Sequence, residues 1–184
     1  TKSMCAQMYV NQGAAVLIAS YQMARALGVG DDKMVYLHGC ADTHEKYLVS
    51  ERVNYYECPA MKMGVDHALS MADIQGSDIR HFDLYSCFSS AVEVACDALG
   101  IAHDDPRGLT LTGGLPFFGG PGNNYTMHGI AEMIGRLRAN PGDFGFVNGN
   151  GWFLTKHSFG IYSTAQPMTD FERVNPSLYQ AELD

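Results

Sequence analysis

Short apolar segments alternate with amphipathic segments along this chain, and no other feature of the sequence constrains its fold as strongly. The apolar segments at residues 14–19, 34–39 and 79–85 predict strands, the first of them buried on both faces. Helical periodicity follows each of them, and Pro59 is well placed to open the second helix. This alternation predicts an α/β fold, in which a mostly parallel sheet is covered by helices on both faces.

The last third of the sequence predicts a long helix followed by a hairpin. The helix ends near Arg138, and residues 140–142 (NPG) close it. Strands at residues 144–148 and 153–163 flank the tripeptide of residues 149–151 (GNG), which is a hairpin signal. The prediction for the whole chain is a single α/β domain with five strands in a mixed sheet, of which the last is antiparallel.

The composition is that of an acidic protein with a substantial core. Hydrophobic residues make up 46% of the 184 residues, and the formal net charge is -8. Basic runs are absent, so nucleic-acid binding is not expected. No apolar run reaches ~18 residues, so no membrane span is expected. The five cysteines form no CxxC pair, and we therefore expect no disulfides, no metal site and a location in the reducing cytoplasm.

Glycine is concentrated in one stretch, because 12 of the 20 glycines lie within residues 108–151. Loops at residues 85–88, 119–125 and 148–151 lie at predicted strand ends or at the start of the long helix. Ligands of such sheets bind at the carboxyl ends of the strands, and a helix N-terminus favours an anion. Plainer interpretations stay open, namely a structural cysteine in the first loop and glycines that serve only as turns.

On the long helix, Tyr125, His128 and Glu132 share a face that lies opposite the apolar stripe. That stripe consists of Met127, Ile130, Ile134 and Leu137. A tyrosine and a histidine on a face with no packing role indicate a site, although a solvent-facing pair has the same spacing. From the residues alone we predict a site near Tyr85, Tyr125 and His128.

Four sequence blocks together resemble the C-terminal half of thiolases, in particular the acetyl-CoA acetyltransferases related to the sterol-carrier-protein type. Residues 11–15 (NQGAA) are similar to the family's DGAAA, and residues 84–89 (LYSCFS) are similar to its LHDCFS. The GGL and GGP of residues 113–121 are similar to GGLxxxxGHP, and residues 148–151 (NGNG) stand where CxGGG is expected. The blocks follow the family's order and cover nearly the whole chain.

The resemblance implies a fold, a substrate and partners. A thiolase half is a three-layer α-β-α unit with the element order βαβαβαββ, and two such halves form a subunit. We therefore expect residues 1–184 to be the C-terminal domain, with the N-terminal half absent from this chain and supplied as its partner, and we expect a homodimer. The implied substrate is a coenzyme A thioester of lipid metabolism, with no bound cofactor.

The reactive side chains that the family takes from this half are replaced here. Gly120 stands in place of the GHP histidine, Asn148 in place of the CxG cysteine, and Tyr85 in place of the His or Asn before CF. Glycine carries no reactive group, and a carboxamide takes no proton at neutral pH. We therefore expect Tyr85, Tyr125 and His128 to be the catalytic residues, with tyrosine as an acid or hydrogen-bond donor and His128 as a base. The residues expected to bind the substrate are Cys87, Gly120, Asn123, Asn148, Gly149 and His157.

Three functions stay open at this point. The first is acyl transfer by an acetyl-CoA acetyltransferase with non-standard catalytic residues. The second is retro-aldol cleavage of a hydroxyacyl-CoA, which needs no thiolate and which the resemblance associates with a small OB-fold partner protein. The third is a non-catalytic half that only completes an assembly. The isolated chain is expected to be inactive in each case.

Overall fold

The computed structural model describes residues 4–183 and has an α/β fold with one mixed sheet. Its strands are β1 (Tyr36–His44), β2 (Ile79–Asp83), β3 (Phe144–Gly151) and β4 (Lys156–Ser163). Its helices are α1 (Tyr21–Ala26), α2 (Pro59–Ala72), α3 (Ser89–Leu99), α4 (Tyr125–Ala139) and α5 (Pro176–Gln180). No helix in the described part of the chain is long and apolar enough to span a membrane.

The sheet has the strand order β1-β4-β3-β2. β2 and β3 are parallel, whereas β4 runs antiparallel to both of its neighbours, β1 and β3. The mixed sheet and its antiparallel last strand are as the sequence predicts. The number of strands is different, because residues 4–183 contain a sheet of four strands where five were expected.

The strand predicted at residues 14–19 accounts for the difference. These residues have no regular secondary structure, and the side chains of Leu17 and Ile18 are almost fully exposed. A strand requires a neighbour that pairs with its backbone N–H and C=O groups, and no described strand pairs with this segment. The apolar side chains indicate that the segment favours burial, but they do not reveal whether an unpaired strand is available to pair with it.

Helices cover both faces of the sheet. On one face, α2 and α3 pack with the sheet around a large apolar core that includes Phe82, Phe146, Met61, Ile79 and Ile161. On the other face, Met133 and Leu137 of α4 pack against Val147 of β3 in a smaller cluster. The three-layer α-β-α arrangement expected from the alternation is therefore present.

The connection between the last two strands differs from the predicted hairpin. Residues 149–151 were expected to form the turn, but they continue β3 and pair with residues 156–158 of β4. The chain reverses at residues 152–155 instead, where Trp152 and Leu154 have positive φ angles of 58° and 49°. Gly149 and Gly151 do not have positive φ angles. The strand therefore requires their small size and not their conformational freedom.

The buried face of α4 also differs from the prediction. Tyr125, His128, Gly129, Met133 and Leu137 are the buried residues of this helix, whereas Met127, Ile130 and Ile134 are only half-buried. The helix is thus rotated so that Tyr125 and His128 face the protein interior. This orientation contradicts the expectation that the two residues lie on an unpacked face.

Candidate active site

The carboxyl ends of β2 and β3 meet beside the N-terminus of α4, as expected for a ligand site in a parallel pair of strands. Tyr85 lies two residues after the end of β2, and Asn148 lies in β3. The backbone N–H of Tyr85 donates a hydrogen bond to Asn148 Oδ1 at 2.9 Å. The carboxamide in place of the family's cysteine therefore holds the loop that carries Tyr85.

Four rings form a continuous aromatic cluster at this end of the sheet. The rings of Tyr85 and Tyr125 meet edge to face, with centroids 5.3 Å apart. The ring of Phe118 contacts Tyr125 at 6.1 Å and His128 at 5.2 Å, also edge to face. The structure therefore brings together the three residues predicted to be catalytic, and it adds Phe118 between them.

Tyr125 is fully buried, and its hydroxyl lies 2.6 Å from Thr112 Oγ1. Burial, followed by the nearby Asp83 carboxylate, raises the pKa of the Tyr125 phenol far above its ordinary value. Tyr85 is only half-buried, and burial raises the pKa of its phenol as well. Both tyrosines are therefore protonated at neutral pH, and only Tyr85 is in contact with solvent.

Asp83, the last residue of β2, is a member of the site that sequence reasoning missed. Its side chain is fully buried, and its Oδ1 accepts hydrogen bonds from the N–H groups of Leu111 and Thr112 at 2.9 and 3.1 Å and from Thr112 Oγ1 at 3.1 Å. Burial raises the pKa of this carboxyl group, against these hydrogen bonds, which lower it. The available signal was an acidic residue between the apolar Phe82 and Leu84, since a buried carboxylate requires dedicated partners.

His128 is 9% exposed. Its Nε2 lies 3.3 Å from Nδ2 of Asn124, the residue that immediately precedes α4. If the amide donates, Nε2 is the unprotonated ring nitrogen and Nδ1 carries the proton. Gln12 closes the other side of the loop, where its Nε2 donates to the carbonyl of Phe118 at 2.7 Å. An ordered loop therefore holds the imidazole beside the aromatic cluster.

Gly120, Asn123 and Gly149, which are also predicted to bind substrate, occupy different environments. Gly120 is buried, and a Cβ added there would lie 3.1 Å from Ala6 Cβ and 3.1 Å from Leu115 Cδ2. Asn123 is exposed in the turn that precedes α4. Gly149 lies next to the side chain of Thr126, at the edge of the site. A histidine at position 120, as in the GHP motif, would require the neighbouring loop to move.

Cys87 lies on the loop after β2 and contacts β3. Asn150 Nδ2 donates to Cys87 Sγ at 3.5 Å, while Asn150 Oδ1 is buried without a partner. Burial raises the pKa of the Cys87 thiol, although the hydrogen bond from Asn150 acts in the opposite direction. The thiol is therefore protonated at neutral pH and lies close to Tyr85 in the chain.

His157 lies apart from this cluster. Its Nε2 is 3.3 Å from Cys58 Sγ, at the start of α2, on the sheet face that packs against α2 and α3. The backbone of His157 lies opposite Asn150, but its side chain contacts Cys58 and none of the other predicted binding residues. Within residues 4–183 there is also no group of three or more His, Cys, Asp or Glu side chains placed to hold a metal ion.

Comparison with solved structures finds proteins similar to this chain. The chain is 51% identical to a monomeric SCP2-thiolase-like protein type 1 from Mycobacterium smegmatis, with a TM-score of 0.84. The match covers 89% of this chain and 36% of that chain, so this chain spans about a third of the length of the solved structure. No protein-family model matches the chain. No curated protein matches it either.

The comparison supports a thiolase-like fold and corrects the predicted partners. The similar protein is described as monomeric, which contradicts the expectation of a homodimer with a partner N-terminal half. The resemblance had carried over the assembly common in its family, and nothing in the residues themselves supported it.

Proposed function

We propose that this chain contributes an acyl-thioester site to a thiolase-like protein that acts on coenzyme A thioesters. Support comes from the similarity to an SCP2-thiolase-like protein together with the cluster at the ends of β2 and β3. The observation that carries the proposal is the half-buried Tyr85 phenol. It lies where the family places a reactive His or Asn, and Asn148 and Tyr125 hold it there.

The geometry favours carbon–carbon bond cleavage of the retro-aldol type over acyl transfer. In that reaction a base takes the proton of the 3-hydroxyl group, the C2–C3 bond breaks, and C3 becomes a carbonyl carbon. The electron pair of the broken bond passes to the thioester as an enolate, and an acid then protonates C2. Neither step requires a thiolate, which agrees with the protonated Cys87 and with the amide at residue 148.

The proposed roles follow from the protonation states of the side chains. Tyr85 donates a hydrogen bond to the enolate and protonates C2, because its phenol is protonated and partly exposed. His128 accepts the hydroxyl proton, because imidazole is the side chain suited to accept a proton near neutral pH. The ring of Phe118 next to both Tyr125 and His128 limits the access of water to the site.

Replacing Tyr85 with Phe tests this proposal. In the protein that carries this chain, Tyr85→Phe should lower kcat for cleavage of a 3-hydroxyacyl-CoA by ~10²–10⁴-fold, the usual contribution of a general acid. The measurement is the release of the carbonyl product and of the shortened acyl-CoA. Tyr55→Phe is a matched control, because Tyr55 is exposed and lies on another loop. Equal rates for wild type and Tyr85→Phe would refute the role of Tyr85.

Acyl transfer is a second candidate, favoured by one observation. Cys87 lies on the Tyr85 loop, and the Asn150 amide donates to its sulfur, a contact that would stabilise a thiolate. Acyl transfer predicts a covalent acyl adduct on Cys87 in mass spectra after incubation with acyl-CoA. Retro-aldol cleavage predicts product release with no adduct. If coenzyme A thioesters produce neither product nor adduct, the chain has no catalytic role.

A further inference from the structure

The hydroxyl of Thr112 joins three groups that belong to different parts of the fold. The backbone N–H of Gly114 donates to Thr112 Oγ1 at 3.1 Å. The Tyr125 hydroxyl of α4 lies 2.6 Å from the same oxygen, and Asp83 Oδ1 of β2 lies 3.1 Å from it. Thr112 therefore links the Tyr125 hydroxyl to Oδ1 of the buried carboxylate, in addition to a direct side-chain hydrogen bond between Tyr125 and Asp83.

The number of protons available shows which group donates in each of these hydrogen bonds. A threonine hydroxyl has one proton and two acceptor positions, and Gly114 occupies one acceptor position. Asp83 Oδ1 already accepts two backbone N–H bonds, so it carries no proton and also accepts from Thr112. The single proton of Thr112 is thereby directed to Asp83. The proton of Tyr125 points inward as well, toward the remaining acceptor position of Thr112 and toward Asp83, to which Tyr125 also has a side-chain hydrogen bond.

The direction does not depend on whether Asp83 is ionised. Asp83 Oδ2 is buried with no hydrogen-bond partner, and a Cβ added at Gly129 would lie 2.4 Å from it. Any proton bound by the carboxyl group is therefore on Oδ2, which leaves Oδ1 an acceptor in both states. In the reverse arrangement, with Thr112 donating to Tyr125, two acceptor oxygens would face each other at 3.1 Å.

The outer end of the chain of hydrogen bonds reaches the loop after β2. Ser86 Oγ accepts from the N–H of Leu115 at 3.0 Å, so its own proton is free to be donated. A side-chain hydrogen bond joins Ser86 to Tyr125, whose oxygen accepts because its proton points inward to Thr112 and Asp83. The complete chain therefore runs from Ser86 through Tyr125 and Thr112 to Asp83.

We propose that Asp83 is the positioning residue of the site. Directly and through Thr112, it holds the Tyr125 hydroxyl pointing inward, so that Tyr125 is an acceptor toward the Tyr85 loop and Tyr85 alone donates outward. The site named here is that of the proposed function, but the direction of the hydrogen bonds is independent of any substrate. The proposal therefore removes Tyr125 from the set of catalytic acids and assigns it a supporting role.

The test follows the Tyr125 hydroxyl by NMR in the chain labelled with 13C at tyrosine Cζ, with Tyr125→Phe used to assign the signal. Thr112→Val preserves the shape of the side chain but removes the link, and should shift the Tyr125 Cζ signal and abolish slow exchange of its hydroxyl proton. Thr112→Ser restores a hydroxyl and should restore both properties. Identical Tyr125 signals in the Val and Ser variants would overturn the proposal.

Asp83→Asn supplies an independent arm. Asn retains an acceptor oxygen at the Oδ1 position but removes the negative charge, so Tyr125 should begin to ionise at a lower pH than in the wild type. Asp104→Asn, at an exposed position, is the matched control and should leave the Tyr125 titration unchanged. An unchanged titration in folded Asp83→Asn would contradict the proposal. If Asp83→Asn fails to fold, the comparison of Thr112→Val with Thr112→Ser tests the proposal.

These measurements separate the inference from the proposed function. They require no substrate, so a chain that cleaves no thioester still confirms or overturns the role of Asp83. In a protein with thioester activity, Thr112→Val should lower kcat more than it raises KM, and Thr112→Ser should recover kcat. Equal activity in both Thr112 variants, together with altered Tyr125 signals, would refute the catalytic importance of the site and leave the hydrogen-bond direction intact.

Discussion

The thiol of Cys58 and the imidazole of His157 lie side by side in the core, and neither is charged at neutral pH. Their Sγ and Nε2 atoms are 3.3 Å apart. Burial raises the pKa of Cys58 to about 11 and lowers the pKa of His157 to about 4. A buried thiol with so high a pKa is a poor nucleophile. The pair therefore joins β4 to the start of α2 by packing, and it does not form a reactive thiolate.

His157 should make the stability of the protein depend on pH between about 4 and 6.5. In this window the unfolded chain binds a proton at residue 157 that the folded chain does not, so the free energy of unfolding falls as the pH falls. A lowering of the pKa from 6.5 to about 4 corresponds to about 3 kcal/mol. Urea denaturation at pH 7 and pH 4.5 measures the loss.

His157→Gln removes the titrating group and should flatten this part of the pH profile, although the variant is less stable at pH 7 because it disturbs a buried contact. The informative quantity is the difference between the two pH values within each protein. If wild type and His157→Gln lose the same amount of stability between pH 7 and pH 4.5, His157 is not the group responsible.

At the scale of elements, the distance between α4 and the sheet is set by two glycines. A Cβ added at Gly129 of α4 would lie 2.4 Å from Asp83 Oδ2, and one added at Gly145 of β3 would lie 2.1 Å from Met133 Sδ. No larger side chain fits at either position unless the Asp83 or the Met133 side chain moves. This close approach is what allows Tyr125 to reach Thr112.

Gly129→Ala should therefore destabilise the protein by about 1–3 kcal/mol, the usual cost of overpacking. Gly135 lies on the same helix with open space around it, and Gly135→Ala should instead stabilise by about 0.5–1 kcal/mol through helix propensity. Chemical denaturation of the two variants provides the comparison. Effects of the same sign and size would show that helix propensity, and not contact with Asp83, governs residue 129.

The elements that the sequence predicted well are those whose signals are local. Pro59 marked the start of α2, and the apolar residues along this helix predicted its extent to Ala72. The rotation of α4 was not predictable in this way. Tyr125 is buried by contacts with Thr112 and Phe118, which lie outside the helix, so the periodicity of the helix does not reveal them. The carboxyl-end rule placed Tyr85 near Asn148, but hydrogen bonds to Asp83 depend on a loop, residues 111–112, whose position no local pattern encodes.

At the scale of the whole molecule, the described fold leaves the apolar segment at residues 14–19 outside its core. Leu17 and Ile18 are almost fully exposed, whereas Leu137 is fully buried. In this chain Leu17→Ser should change the free energy of unfolding by less than about 0.5 kcal/mol, as surface substitutions do. Leu137→Ala, the buried control, should cost about 2–5 kcal/mol. A loss of several kcal/mol for Leu17→Ser in thermal or chemical denaturation would contradict the described exposure.

The position of β4 between β1 and β3 also determines the order in which the chain is able to fold during synthesis. β1 has no neighbour other than β4, and Tyr36 pairs with Ser163. When the ribosome has produced the chain as far as residue 143, neither β1 nor β2 has yet met its partner strand in this sheet, and their edges remain open to other chains. The hairpin of β3 and β4 emerges last and connects β1 with β2 in a single event. A chain shortened before residue 156 therefore lacks the strand that unites its sheet, and we expect it to aggregate rather than to form a smaller version of the domain.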